Sequence, residues 1–248
     1  MTPSAREVRV HMRDVRPAFV PRARWVLETL VESLGGTPVW TGTDADADLV
    51  YAPARPAAGL WIPADPAAQA FFEGTDPFPT RAIHRARGLA LLFAPTHPHE
   101  PIPGDIVASA FHLLARWDEL YVPDRDRFDR LPLSASSFGQ IAGLSLEDPA
   151  VEGYVDALRA ALRIRPPSTW RVALTHDIDR LRRRTPKGLA GIARRRGPRG
   201  VARVLAGPDP WNNIPDLLET TWRRGLRSTV FLIGRNRHPL DGPPRRVY

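Results

Sequence analysis

The residues best suited to chemistry in this chain are Thr175-His176-Asp177-Ile178-Asp179. They close an apolar stretch, Trp170-Arg171-Val172-Ala173-Leu174-Thr175, that reads as a strand, so two carboxylates at i and i+2 leave it together. In parallel α/β sheets and barrels, active-site groups gather at the carboxyl ends of strands. Two acids there can divide the work: one binds a divalent metal and the other takes a proton from metal-bound water. Oxygen donors suit zinc, manganese, magnesium or calcium and do not choose among them. The same pair would serve as structural acids, capping the next helix or pairing with Arg180 and with Arg182, Arg183 and Arg184.

Other candidate donors are scattered. His97 and His99 sit two apart beside Glu100, a spacing that could chelate, but in a proline-rich stretch that reads as an exposed loop. His112 falls near the apolar face of a helix and is expected to be a hydrogen-bonded buried side chain. His11 and His84 have no convergent neighbours in sequence. The chain has no cysteine, which excludes disulfides and thiolate metal sites.

The elements that must position these residues are α/β in pattern. A strand at 8–12 leads to a helix at 19–34, which Gly35-Gly36 ends. Short buried strands are expected at 48–51, 60–62 and 88–93, with a helix at 66–72 between the last two. Residues 105–120 read as one helix, with Asp105 near its N-terminus and Ile106, Ala110, Leu113, Leu114 and Trp117 on one face. A loop at 121–145 and an amphipathic helix at 149–163 follow. Pro166-Pro167-Ser168 reads as a linker, which divides the chain into 1–165 and 166–248. Beyond it lie an arginine-rich stretch of about 30 residues, a helix at 214–224 and a strand at 228–233, a strand–helix–strand unit expected to be parallel.

The segments ALTHDIDRLRR and DPWNNIPDLLETTWRRGLRSTVFLIG resemble the start of the polysaccharide deacetylase domain, also called the NodB-homology domain of carbohydrate esterase family 4. The branch it looks like has a first motif of the form T-x-D-x-D. DIVASAFHLLARWDELY and SFGQIAGLSLEDPAVEGYVDALRAAL are similar to the accessory domain often fused to that branch, so the resemblance covers most of 100–236. It implies an N-terminal α/β accessory domain followed by an incomplete (β/α) deacetylase-type barrel, first strands only. It further implies Asp177 as catalytic base and Asp179 as metal ligand, with zinc the first choice of divalent metal. In such enzymes the metal polarises an N-acetyl carbonyl and binds the attacking water, and the base activates that water. The function implied is metal-dependent N-deacetylation of an amino sugar or polysaccharide, with a carbohydrate as substrate.

The match then stops. The family's second motif places two histidines four apart, whereas after Asp179 this sequence has His238 alone. Later motifs would fall after Tyr248. A truncated domain is therefore expected, inactive by itself.

The formal net charge of +8 is unevenly placed: the first 165 residues carry −4 and the remainder +12. Arg182, Arg183, Arg184, Lys187, Arg194, Arg195, Arg196, Arg199 and Arg203 form a dense cationic tract. It would serve either as a solvated insertion or as a contact for an anionic polymer, and a non-catalytic module of that kind is the alternative function. Within the tract no aromatic side chain offers base stacking, which disfavours nucleic acid. Trp211 could line a sugar cleft or pack under a helix whose N-cap is Asn213. No apolar run reaches the roughly 20 residues of a membrane span, and the start lacks a secretory h-region. The expected compartment is the cytoplasm, with no membrane partner.

Overall fold

The computed structural model describes residues 6–76, 78, 82–165, 172–178, 186–207 and 214–232. They divide into two compact units, Met1–Ser168 and Thr169–Tyr248, here called unit 1 and unit 2.

Unit 1 is built on a four-stranded parallel sheet. Its strands are β1 (Arg6–Met12), β2 (Gly36–Trp40), β3 (Leu49–Ala52) and β4 (Leu60–Pro63), in the order β2-β1-β3-β4. In β1 the alternation is plain: Val8 and Val10 are buried while Glu7 and Arg9 are exposed, so one face of the strand is core and the other meets water. Arg9 uses that outer face to reach Asp48 through Nε and Nη2 at 3.2 and 2.9 Å. The short strand β2 was not anticipated in sequence, where Gly36 read only as a helix stop. A Cβ at Gly36 would lie 2.9 Å from Val8 Cγ2, so its lack of a side chain lets β2 pair with β1.

Helix α1 (Val20–Ser33) connects β1 to β2 and buries Ala23, Val26, Leu27, Leu30 and Val31. It packs on α3 (Ile106–Leu114) and α5 (Ala150–Ala161), which also pack on each other. Between them lies one apolar core, in which Phe19, Phe72, Phe111 and Trp117 meet ring to ring at 5.0–5.8 Å. The short helix α2 (Pro66–Phe71) is capped by Asp65, whose Oδ1 accepts the Ala67 N–H at 2.9 Å. β5 (His84–Ala86) and β6 (Leu89–Leu91) form an antiparallel hairpin; Arg87 and Gly88 both have positive φ, as a two-residue loop of this hand requires. Only the β6 half of that hairpin was legible in the sequence.

One expected helix is cut short. Residues 105–120 are not continuous: α3 ends at Leu114, Arg116 takes φ +48, and 117–120 form a 3-10 turn. The left-handed residue redirects the chain, and Trp117 and Asp118 in the turn that follows are both buried. The segment expected as loop then holds a second 3-10 turn at 133–135 and the four-residue helix α4 (Ser137–Gln140).

Unit 2 contains β7 (Leu174–Ile178), α6 (Pro186–Ala206), α7 (Ile214–Arg223) and β8 (Ser228–Leu232). β7 and β8 pair in parallel, with Thr175 opposite Thr229 and Asp177 opposite Phe231. The expected strand lies about four residues too early, because pairing with β8 begins only at Leu174. Part of the arginine-rich stretch is helical: 186–206 form α6, broken at Gly197 (φ +64) ahead of Pro198. Gly225 (φ +69) follows α7 at the expected stop. Among the described residues no helix is long and apolar enough to cross a membrane.

Candidate functional site

The acid that sequence reasoning placed just past a strand sits inside it. Asp177 is the fourth of five residues in β7, and it and Thr175 are exposed on the face opposite His176. Strand alternation is the reason, since residues two apart share a face. Among the described residues Asp177 has no ion-pair partner. His176 lies on the other face with its Nε2 buried and unpartnered. Asp179, Trp211, Asn213 and His238 lie outside the described residues.

Asp179, the ligand implied for a metal, is outside the described residues, and Asp177, the implied base, is a single exposed carboxylate that does not hold an ion by itself. Among the described residues no three His, Asp or Glu side chains converge as a metal site would require. The THPHE loop is not a chelate either. The His97 ring packs on Trp61 at 4.4 Å, Glu100 accepts from Arg55 at 2.5 Å, and His99 is exposed.

Unit 1 contains a polar centre that the sequence reading missed. Asp118 is 5 % exposed, and its Oδ2 accepts the backbone N–H of Ser137 at 2.7 Å. Ser137 Oγ lies 2.8 Å from Nε2 of His112, which reaches it from α3. Burial pushes His112 down to about 4, the nearby Asp118 charge only partly opposing it, so the ring is neutral at neutral pH. Its Nδ1 is buried with no partner among the described residues. Tyr121, whose hydroxyl pKa burial raises, faces Ser137 and the Phe78 backbone. Asp118 and Ser137 both line two cavities, of about 410 and 560 Å³. Asp118 and Ser137 are 19 residues apart in different local structures, and no spacing rule would have joined them. His112 is buried and hydrogen-bonded, as expected.

A second buried network fastens the sheet to its helices. Asp105 caps α3 by accepting the Ala108 N–H at 2.7 Å, and its other oxygen accepts the Tyr51 hydroxyl and the Asp65 N–H, both at 2.8 Å. Gln69 donates to Tyr51 at 3.1 Å and accepts the Arg16 N–H at 2.9 Å. Every oxygen and nitrogen of this network is occupied within the protein, so it holds strand, helix and loop together and offers nothing to a ligand.

A four-stranded parallel sheet together with several helices makes unit 1 a mixed α/β domain. Residues 15–167 match DUF7033, a family of unknown function, and the chain belongs to that family. No curated protein and no solved structure matches the chain.

Proposed function

We propose that unit 2 is the opening of a polysaccharide-deacetylase-type (β/α) barrel, and that the chain belongs to an enzyme removing N-acetyl groups from an amino sugar or glycan. The observation that supports this most is the parallel β7–β8 pair joined through helices, with Asp177 exposed one residue before its strand ends. Asp177 carries no ion pair among the described residues, and its carboxylate is open to take a proton from an attacking water. In this reading Asp179 is one ligand of a divalent ion, zinc first, which when bound would supply the positive charge that polarises the acetyl carbonyl. The described donors do not complete a metal site, and this chain alone is expected to turn over little or no substrate.

The test reads metal rather than turnover. Titration of the purified chain with zinc against a chromophoric chelator is expected to show one weak site, weakened at least tenfold by Asp179→Asn and little changed by Asp177→Asn. Equal zinc affinity in Asp179→Asn and the native chain would remove Asp179 from the ligand set and with it the deacetylase assignment.

A second reading rests on α6. Lys187, Arg194, Arg195, Arg196, Arg199 and Arg203 are all exposed on this helix, which contains no carboxylate. None of them has an ion-pair partner among the described residues, whereas in unit 1 Arg9, Arg13, Arg16, Arg24 and Arg130 are each paired with an acid. Six like charges on one helix repel one another, and a polyanion would relieve that repulsion by displacing small counterions.

A further inference from the structure

We infer that the pocket around Asp118 in unit 1 is a binding site for a neutral sugar unit. The inference does not depend on the deacetylase reading and concerns a different unit of the chain.

A carboxylate withdrawn from water is costly unless cations or several donors surround it. Among the described residues Asp118 has one donor, the Ser137 N–H on Oδ2. Among the described residues no hydrogen bond reaches Oδ1 and no cation pairs with it. The guanidinium nearest in sequence, Arg116, turns to Glu119 at 2.8 Å. Oδ1 therefore has acceptor capacity for a ligand donor, and the two cavities that Asp118 lines provide the room.

The rest of the lining decides the ligand's chemistry. Besides Asp118, the smaller cavity is lined by Arg116, Ser136 and Ser137 and by the apolar Leu131, Leu133, Leu146 and Phe138. Ser136 donates its own proton to the Leu133 carbonyl at 2.8 Å, which leaves its oxygen as an acceptor. An anionic ligand would meet the Asp118 charge. A purely apolar one would cover Asp118 and leave its free oxygen unpaired, a cost on the order of 1–3 kcal/mol. A sugar ring fits both demands: its hydroxyls donate to Asp118 and Ser136 and accept from Arg116, and its C–H faces lie against leucine and phenylalanine. A volume of about 410 Å³ falls within the range of small-molecule pockets.

The experiment is isothermal titration of the full chain with the N-acetylglucosamine trimer and with cellotriose, beside a galacturonate trimer as the anionic comparison. Saturable binding of at least one neutral trimer is expected, with the galacturonate trimer at least tenfold weaker. Two variants carry the assignment. Asp118→Asn keeps an oxygen for the Ser137 N–H but removes the charge, and Leu146→Trp fills the cavity from a position that is 64 % exposed. Each is expected to weaken binding at least tenfold while the far-ultraviolet circular dichroism and the melting midpoint stay close to the native values. No saturable binding of either neutral trimer would overturn the inference. So would tighter binding of galacturonate, or native affinity in both variants. Zinc affinity is unaffected by any of these outcomes, so this result and the deacetylase test fail separately.

Discussion

Asp105 and His112 are both buried on α3, and each alters the proton balance of folding, in opposite senses. Burial raises Asp105 from 3.8 to about 7, although three donors favour its charged form. Between those values the folded chain keeps a proton that the unfolded chain releases, so this residue makes the fold less stable as pH rises. Burial lowers His112 from 6.5 to about 4. In that window the unfolded chain takes a proton that the folded chain refuses, so this residue makes the fold more stable as pH rises. The two effects oppose each other across their shared range in the native chain. Asp105→Asn is expected to expose the histidine effect, with a urea midpoint that climbs from pH 4 to 6.5. His112→Gln is expected to expose the carboxyl effect, with a midpoint that falls from pH 4 to 7. Parallel pH profiles in the two variants would contradict this assignment. Of these residues, the sequence shows Asp105 as a helix start and His112 as buried, because both roles depend on neighbours within one helix turn. It carries no sign of Asp118 or Ser137, whose meeting depends on a left-handed Arg116 and on where the chain returns.

At the scale of elements, the region 114–140 shows how a local backbone choice builds a site. Arg116 breaks the expected helix, the 3-10 turn sends Asp118 inward, and α4 brings Ser137 back to it. The return is tight: a Cβ at Gly139 would lie 2.2 Å from the Leu133 carbonyl oxygen, a fixed backbone atom. Gly139→Ala is therefore expected to destabilise unit 1 by roughly 1–3 kcal/mol and to reduce sugar binding, because α4 must shift and carry Ser137 with it. An unchanged denaturation midpoint would show that this turn is not held by the close approach. Elements with a strong period, such as α1, α5 and α7, lie within a residue or two of where the sequence puts them. Those that err are set by pairing: β2 exists because Gly36 can approach Val8, and β7 begins where β8 offers a partner rather than where the apolar run starts.

For the molecule as a whole, charge is distributed by unit: Met1–Ser168 sums to −4 and Thr169–Tyr248 to +12. Retention of the chain on immobilised heparin is therefore expected, with elution at distinctly lower salt after Arg194→Ala, Arg195→Ala and Arg196→Ala together. Elution at unchanged salt would remove α6 from any polyanion contact. Charge asymmetry, the α/β class, the place of Asp105 near a helix start and the stops at Gly35 and Gly225 are all present in the sequence alone, since each follows from composition or from neighbours a few positions apart. The pocket at Asp118, the register that sets Asp177 within β7, and the closed network around Asp105 were decided only by the tertiary structure. They arise where segments far apart in the chain are pressed together, and hydrophobic burial, which drives that meeting, does not record in any one segment which partner it will find.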